Sequence, residues 1–161
     1  MILAGAHSSE ISIGPVSCGW TRGGESRDII SRMPLVKLET RKGLSRETKR
    51  AMLDAVHEAL MAAFKIPDHD RAQRFIEHDP EAFEIPPGKG ERFTILEITV
   101  FPGRSLDAKR ALYRDICSRF AELGTPAADI FIVLHEVPLD NWGMRGGKPG
   151  SEIDFGFKLD V

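Results

Sequence analysis

The sequence predicts an α/β domain in which two tandem β-α-β units join into one four-stranded sheet with two helices on one face. Three observations predict it. A long stretch of the chain occurs twice. Within each copy the apolar spacing switches from strand-like to helical and back. Each switch is marked by Gly, Ser or Pro where a turn, a cap or a helix stop needs one.

The first copy reads "KGLSRETKRAMLDAVHEALMAAFKIPDHDRAQRFIEHDP" and the second "PGRSLDAKRALYRDICSRFAELGTPAADIFIVLHEVP". Gly43, Ser45, Lys49, Arg50 and Ala51 recur sixty residues later as Gly103, Ser105, Lys109, Arg110 and Ala111. Pro67, Asp70 and Glu77 recur fifty-nine residues later as Pro126, Asp129 and Glu136, so the second copy is one residue shorter. Such a repeat is one structural unit used twice.

The opening strands are "PLVKLE" (34–39) and "TILEITVF" (94–101), the second too apolar to face solvent. A glycine turn follows each. Ser45 and Ser105 are suited to cap the helices, and Glu47 and Asp107 in the first turn favour the helix dipole. Met52, Val56, Leu60 and Phe64 fall at helical spacing, as do Leu112, Ile116, Phe120 and Leu123. Pro67 and Pro126 lie beyond the helix ends. "RAQRFIEH" (71–78) and "DIFIVLHEV" (129–137) close the units. Crossovers of this length suit parallel strands joined by a right-handed helical connection, which places both helices on one face. With no further helix for the opposite face, the sequence predicts oligomerisation through it.

Composition narrows the function classes. The chain has 161 residues, with 22 basic against 24 acidic side chains. That balance supplies no footprint for nucleic acid or an anionic membrane. No apolar run approaches the ~20 residues of a membrane span. Cys18 and Cys117 form neither a CxxC pair nor a metal cluster, which points to a reducing, cytoplasmic setting. Residues 1–33 are rich in Gly and Ser and have no period, so the domain is expected over 34–161. The leader reads either as disordered or as a start codon assigned too far upstream. The onset of periodicity directly after Met33 favours the second reading.

A Met-Pro pair, a strand, a Gly-x-Ser turn and an amphipathic helix, with the same grammar repeated, resembles the tautomerase superfamily. Its members include 4-oxalocrotonate tautomerase, malonate semialdehyde decarboxylase and cis-3-chloroacrylate dehalogenase. The resemblance covers 34–161. "IPDHDRAQ" (66–73), "FPGRS" (101–105) and "DNWGM" (140–144) look most like the malonate semialdehyde decarboxylase-like group. The resemblance implies the tautomerase fold, a homotrimer, no cofactor and no metal, and a small carboxylate-bearing substrate.

It also gives Pro34 a role. An internal proline has no N–H and no basic lone pair. A proline exposed by removal of Met33 is a secondary amine whose unperturbed pKa, near ~7.7–8.0, lies close to neutral. An apolar pocket or a cation lowers that value toward a general base, whereas a carboxylate holds the amine protonated. The structural alternative is an ordinary proline opening a strand.

The resemblance further assigns Arg104, in the turn before the second helix, to the substrate carboxylate, for which a guanidinium offers a fork of donors. Leu44 stands at the equivalent place in the first copy. Asp70 is implied to orient the prolyl nitrogen or a water, although Asp129 in the second copy favours a plain turn role. Trp142 is implied as a pocket wall, or else it is a core aromatic. One departure stands out. Family decarboxylases and dehalogenases use two arginines near the end of the third strand, and Phe101 and Pro102 occupy the region where the other is expected. Arg71, Arg74 and Arg92 are the candidate replacements.

His57, beside apolar helix residues, reads as structural or surface, and His78 and His135 form no metal triad. "GKG" (88–90) and "RGGKPG" (145–150) read as flexible turns. The tail alternates Ile153, Phe155 and Phe157, as a strand added to a neighbouring subunit would. The expectation is therefore a cofactor-independent enzyme that moves a proton on a small oxo acid or its enol. Alternatives are a related decarboxylase or hydratase, and a non-catalytic trimeric scaffold if residues 1–33 are retained.

Overall fold

The structure, a computed structural model, describes residues 34–154. The leader and the tail positions Phe155 and Phe157 lie outside the described residues. The order is β1 (Leu35–Arg41), α1 (Arg46–Phe64), β2 (Ala72–His78), β3 (Thr94–Val100), α2 (Leu106–Glu122) and β4 (Ile130–Glu136). The strands form one sheet in the order β2, β1, β3, β4. β1 runs parallel to β2, and β3 parallel to β4. The two units meet where β1 pairs antiparallel with β3, Leu38 opposite Leu96. This is the two-unit sheet that the repeat predicts.

The copies match in detail. Ser45 Oγ accepts from the Thr48 amide at 3.1 Å, and Ser105 Oγ from the Ala108 amide at 3.2 Å. Gly43 and Gly103 adopt φ of 122° and 109°, a region in which a Cβ is strained. Lys49 donates to Glu77 at 2.9 Å, and its counterpart Lys109 donates to Glu136 at 2.7 Å. Each bridge ties the first turns of a helix to the end of the strand that closes its unit.

Alternate strand residues Val36, Leu38, Leu96, Ile98 and Val100 are buried against Met52, Val56, Leu60 and Phe64 of α1 and Leu112, Ile116 and Phe120 of α2. Both helices therefore cover one face. His57 is also buried, its Nε2 2.8 Å from the Asp68 carbonyl oxygen, so its role is structural.

The opposite face is more polar than the apolar run in β3 suggests. Lys37 bridges Glu39 at 2.9 Å and Glu97 at 2.8 Å, and His78 Nε2 lies 2.5 Å from Glu39. One row across the strands, Ile76, Glu39, Ile95 and Phe131, is mostly apolar, and Phe131 is 58% exposed. Among the described residues no helix covers this face.

Burial raises the Glu39 carboxyl, but the hydrogen bonds from Lys37 and His78 outweigh it and hold the group below its ordinary value. A depressed folded pKa contributes stability above the unfolded value near ~4.3, and that contribution is lost as pH falls through the folded value. Chemical denaturation between pH 5 and 2.5 is expected to show a shallower acid loss for Glu39→Gln than for the parent. Superimposable slopes would remove Glu39 from the acid response.

Candidate active site

The strand register assembles the site. Leu35 pairs with Thr99 of β3 and with Ala72 of β2, so Pro34 sits beside Val100 on one side and Arg71 on the other. Val100 in turn pairs with Glu136, and the Val137 amide donates to the Val100 carbonyl at 3.0 Å. The start of β1, the start of β2 and the ends of β3 and β4 therefore share one end of the sheet. Pro34, Asp70, Arg104 and Trp142 all belong to segments at this end.

Pro34 is buried at the head of β1. Asp70 is only 3% exposed, in the loop between α1 and β2, where its backbone amide donates to the Pro67 carbonyl at 3.0 Å. Arg104 is 6% exposed and directly precedes Ser105, the N-cap of α2. Its guanidinium carbon lies 5.3 Å from the centroid of Phe64, the last residue of α1, within cation–π range. Two side chains of opposite formal charge are thus nine-tenths buried at one end of the sheet, where charge is retained only at a cost. A guanidinium beside a helix N-terminus suits an anionic ligand.

Trp142 forms a second apolar cluster with Phe101 and Ile153, against which Leu35, Val137, Leu139 and Met144 pack. Its ring meets Phe101 edge-on at 4.9 Å, and its Nε1 donates to the Val137 carbonyl at 3.0 Å. Leu35 follows Pro34, so this cluster adjoins the head of β1. Phe101, one residue past the end of β3, is fully buried here, which explains the aromatic side chain in the region where an arginine is expected.

Of the three candidate replacement arginines only Arg71 lies at this end, beside Pro34, and its side chain is engaged by Gln73 and Asp54. Arg71 donates from Nε to Gln73 at 2.9 Å and from Nη2 to Asp54 of α1. Arg74 lies opposite Lys37, on the strand face that α1 and α2 leave uncovered. Arg92 precedes β3 and lies at the other end of the sheet. Sequence reading missed Phe64 as the partner of Arg104, because its helical spacing marks it equally well as core.

With this geometry, the matches to known proteins fall into one pattern. Two family models, each described as "Tautomerase enzyme", match residues 34–89 and 70–145. A 2-hydroxymuconate tautomerase of Comamonas testosteroni is 33% identical over 51 residues, spanning 31% of this chain and 81% of the relative. The chain belongs to the tautomerase superfamily. The probable tautomerase YusQ of Bacillus subtilis is 25% identical over 122 residues, 72% of this chain and 96% of the relative. Among solved structures, a malonate semialdehyde decarboxylase inhibited by 3-bromopropiolate is 28% identical. It has a TM-score of 0.64 and covers 71% of this chain and 91% of its own. A native fused 4-OT shares the fold at 14% identity, with a TM-score of 0.67 over 74% of this chain and 98% of its own. The tautomerase fold and an enzyme of this superfamily are thereby established.

The segment after Trp142 is better tied down than a flexible turn. The Gly150 amide donates to the Trp142 carbonyl at 2.8 Å. A Cβ at Gly150 would meet the Leu139 carbonyl oxygen at 2.8 Å and the Trp142 Cβ at 3.5 Å. Gly150→Ala is therefore expected to cost about 1–3 kcal/mol through overpacking. In a Trp20→Phe background it should also shift Trp142 emission to the red. An unchanged spectrum and midpoint would show that this loop does not hold Trp142.

Proposed function

We propose that the protein is a cofactor-independent keto-enol tautomerase acting on a small 2-oxo acid or its enol, with Pro34 as an N-terminal amine. The observation that carries this reading is the meeting of the head of β1 with the segments of two buried, oppositely charged side chains, Asp70 and Arg104, at one end of the sheet. Arg104 would grip the substrate carboxylate with two parallel N–H donors, its plane steadied by the Phe64 ring. Unprotonated Pro34 would accept the proton of the enol hydroxyl as the carbonyl forms. The resulting ammonium would return a proton to the adjacent carbon, so the net change is a proton moved from oxygen to carbon. Asp70 would orient the ring nitrogen or a water. Trp142 and Phe101 would supply an apolar wall that keeps the amine pKa near neutral.

Such a role requires Pro34 to carry no preceding residue, because an amide nitrogen has no lone pair to accept the proton. We take residues 1–33 to be absent from the active form. Intact-mass measurement on protein made from the native gene should give a chain starting at Pro34. With that form, ketonisation of phenylenolpyruvate should be measurable. Pro34→Ala should lower kcat by roughly 10²–10⁴-fold, and Arg104→Ala should raise KM by about 10–100-fold. A mass starting at Met1, or a rate indifferent to Pro34→Ala, would leave the non-catalytic scaffold as the better account.

A second reading is decarboxylation of a 3-oxo acid, favoured by the 28% identity to a malonate semialdehyde decarboxylase. Here Pro34 would be protonated and polarise the 3-oxo group while the carboxylate leaves as CO2 and the enol is protonated at carbon. Against it stands Phe101 buried on Trp142 where a second arginine is expected. A pH-rate profile separates the two, since activity requires the unprotonated amine in the first reading and the protonated amine in the second.

We further propose a homotrimer built through the uncovered sheet face; support comes from the bare face itself and from a fused 4-OT of the same fold that is a trimer. Light scattering should return about three times the chain mass, and Phe131→Glu should reduce it. A monomeric parent at micromolar concentration would rule this out.

A further inference from the structure

The duplication creates a second place equivalent to the candidate active site, at the other end of the sheet. The sixty-residue repeat carries Pro34 onto Thr94, Thr40 onto Val100, Arg41 onto Phe101 and Leu44 onto Arg104. At that second place lies a cavity of about 270 Å³ whose lining includes Thr40, Arg41, Lys42, Arg92 and Thr94. The residue types are exchanged between the two ends. A guanidinium stands at the strand end where the first site has Phe101, and a leucine at the turn where it has Arg104. Thr94 offers no amine. Asp129, the counterpart of Asp70, is committed: its Oδ1 accepts from the Gly90 amide at 2.9 Å. Proton transfer by an N-terminal amine is therefore excluded at this end.

The cavity nonetheless has the makings of an anion site. Thr40 is 4% exposed, and its Oγ1 is fully buried with no hydrogen-bond partner. A hydroxyl left so costs about 1–3 kcal/mol, and because the atom has no accessible surface an anion in the cavity meets it by a small shift of the lining. Arg41 uses Nε on the Phe83 carbonyl at 3.0 Å and Nη1 on Glu91 at 3.3 Å. Glu91 is 85% exposed, so that ion pair is weak, and a guanidinium with five donors retains others. Lys42 pairs with Asp79 at the surface, both side chains more than half exposed. Arg92 is exposed at the rim. The N-terminus of α1, capped by Ser45 one residue after Leu44, adds its positive dipole end.

We propose that this cavity binds a small oxyanion, a carboxylate or a phosphate, through the Thr40 hydroxyl and the Arg41, Lys42 and Arg92 cations. The site is separate from the Pro34 end and does not rest on the activity proposed for it. Amide NMR on the full chain at constant ionic strength, titrated separately with malonate and with inorganic phosphate, tests it. Saturable shifts are expected at Thr40, Gly43 and Arg92. Response to malonate alone identifies the carboxylate source, and response to phosphate alone the phosphate source.

Thr40→Val preserves side-chain shape and should weaken binding roughly fivefold. Arg92→Ala alters only an exposed residue and should weaken it several-fold. The shifts should persist in Arg104→Ala. Neither anion shifting these amides, or shifts confined to the Arg104 end, would overturn the proposal. So would binding indifferent to both Thr40→Val and Arg92→Ala.

Discussion

The pairing of β1 with β3 is the interaction on which the rest depends. Each unit alone has only two parallel strands and one helix, too little to bury an apolar face. Placing Leu38 opposite Leu96 makes a four-stranded sheet and brings α1 and α2 over one continuous core. Because the pairing is antiparallel, the start of β1 meets the end of β3. An inward slip of one residue would turn Val36 and Leu38 away from the helices and carry Pro34 out of step with the Arg104 turn.

The two halves show which features are architectural. The paired glycine turns, serine caps and lysine–glutamate bridges recur in both and hold each helix on its strands. The ends of the sheet diverge. At one, Arg104 and Asp70 are buried charges beside an aromatic cluster. At the other, Asp129 is taken up by the Gly90 amide, and the cations lie around a cavity edged by a buried hydroxyl. Duplication thus supplies two equivalent positions, and the side chains placed there have diverged.

The uncovered face has a different character from the core. Lys37, Glu39 and Glu97 form a partly buried network across β1 and β3 that reaches His78 at the end of β2, with Ile76, Ile95 and Phe131 on the same face. A charged network beside apolar side chains is suited to a specific docking geometry, because a misplaced partner would leave those charges buried and unpaired. This adds a physical reason, beyond bare apolar area, for expecting the face to meet copies of the same chain.

The sequence by itself determined the two β-α-β units, the helix starts at Ser45 and Ser105, the glycine turns and the stop signals at Pro67 and Pro126. These depend on neighbours a few residues away and on a period visible along one chain. It also pointed to Pro34, Asp70, Arg104 and Trp142 as residues of interest. Only the tertiary structure decided that their segments share one end of the sheet, that Phe64 underlies Arg104, that Phe101 packs on Trp142 and that Gly150 secures the loop. It alone left the Thr40 hydroxyl buried beside a cavity. Those facts depend on strand register and on contacts between residues far apart in sequence, and no local pattern of residue types carries that information.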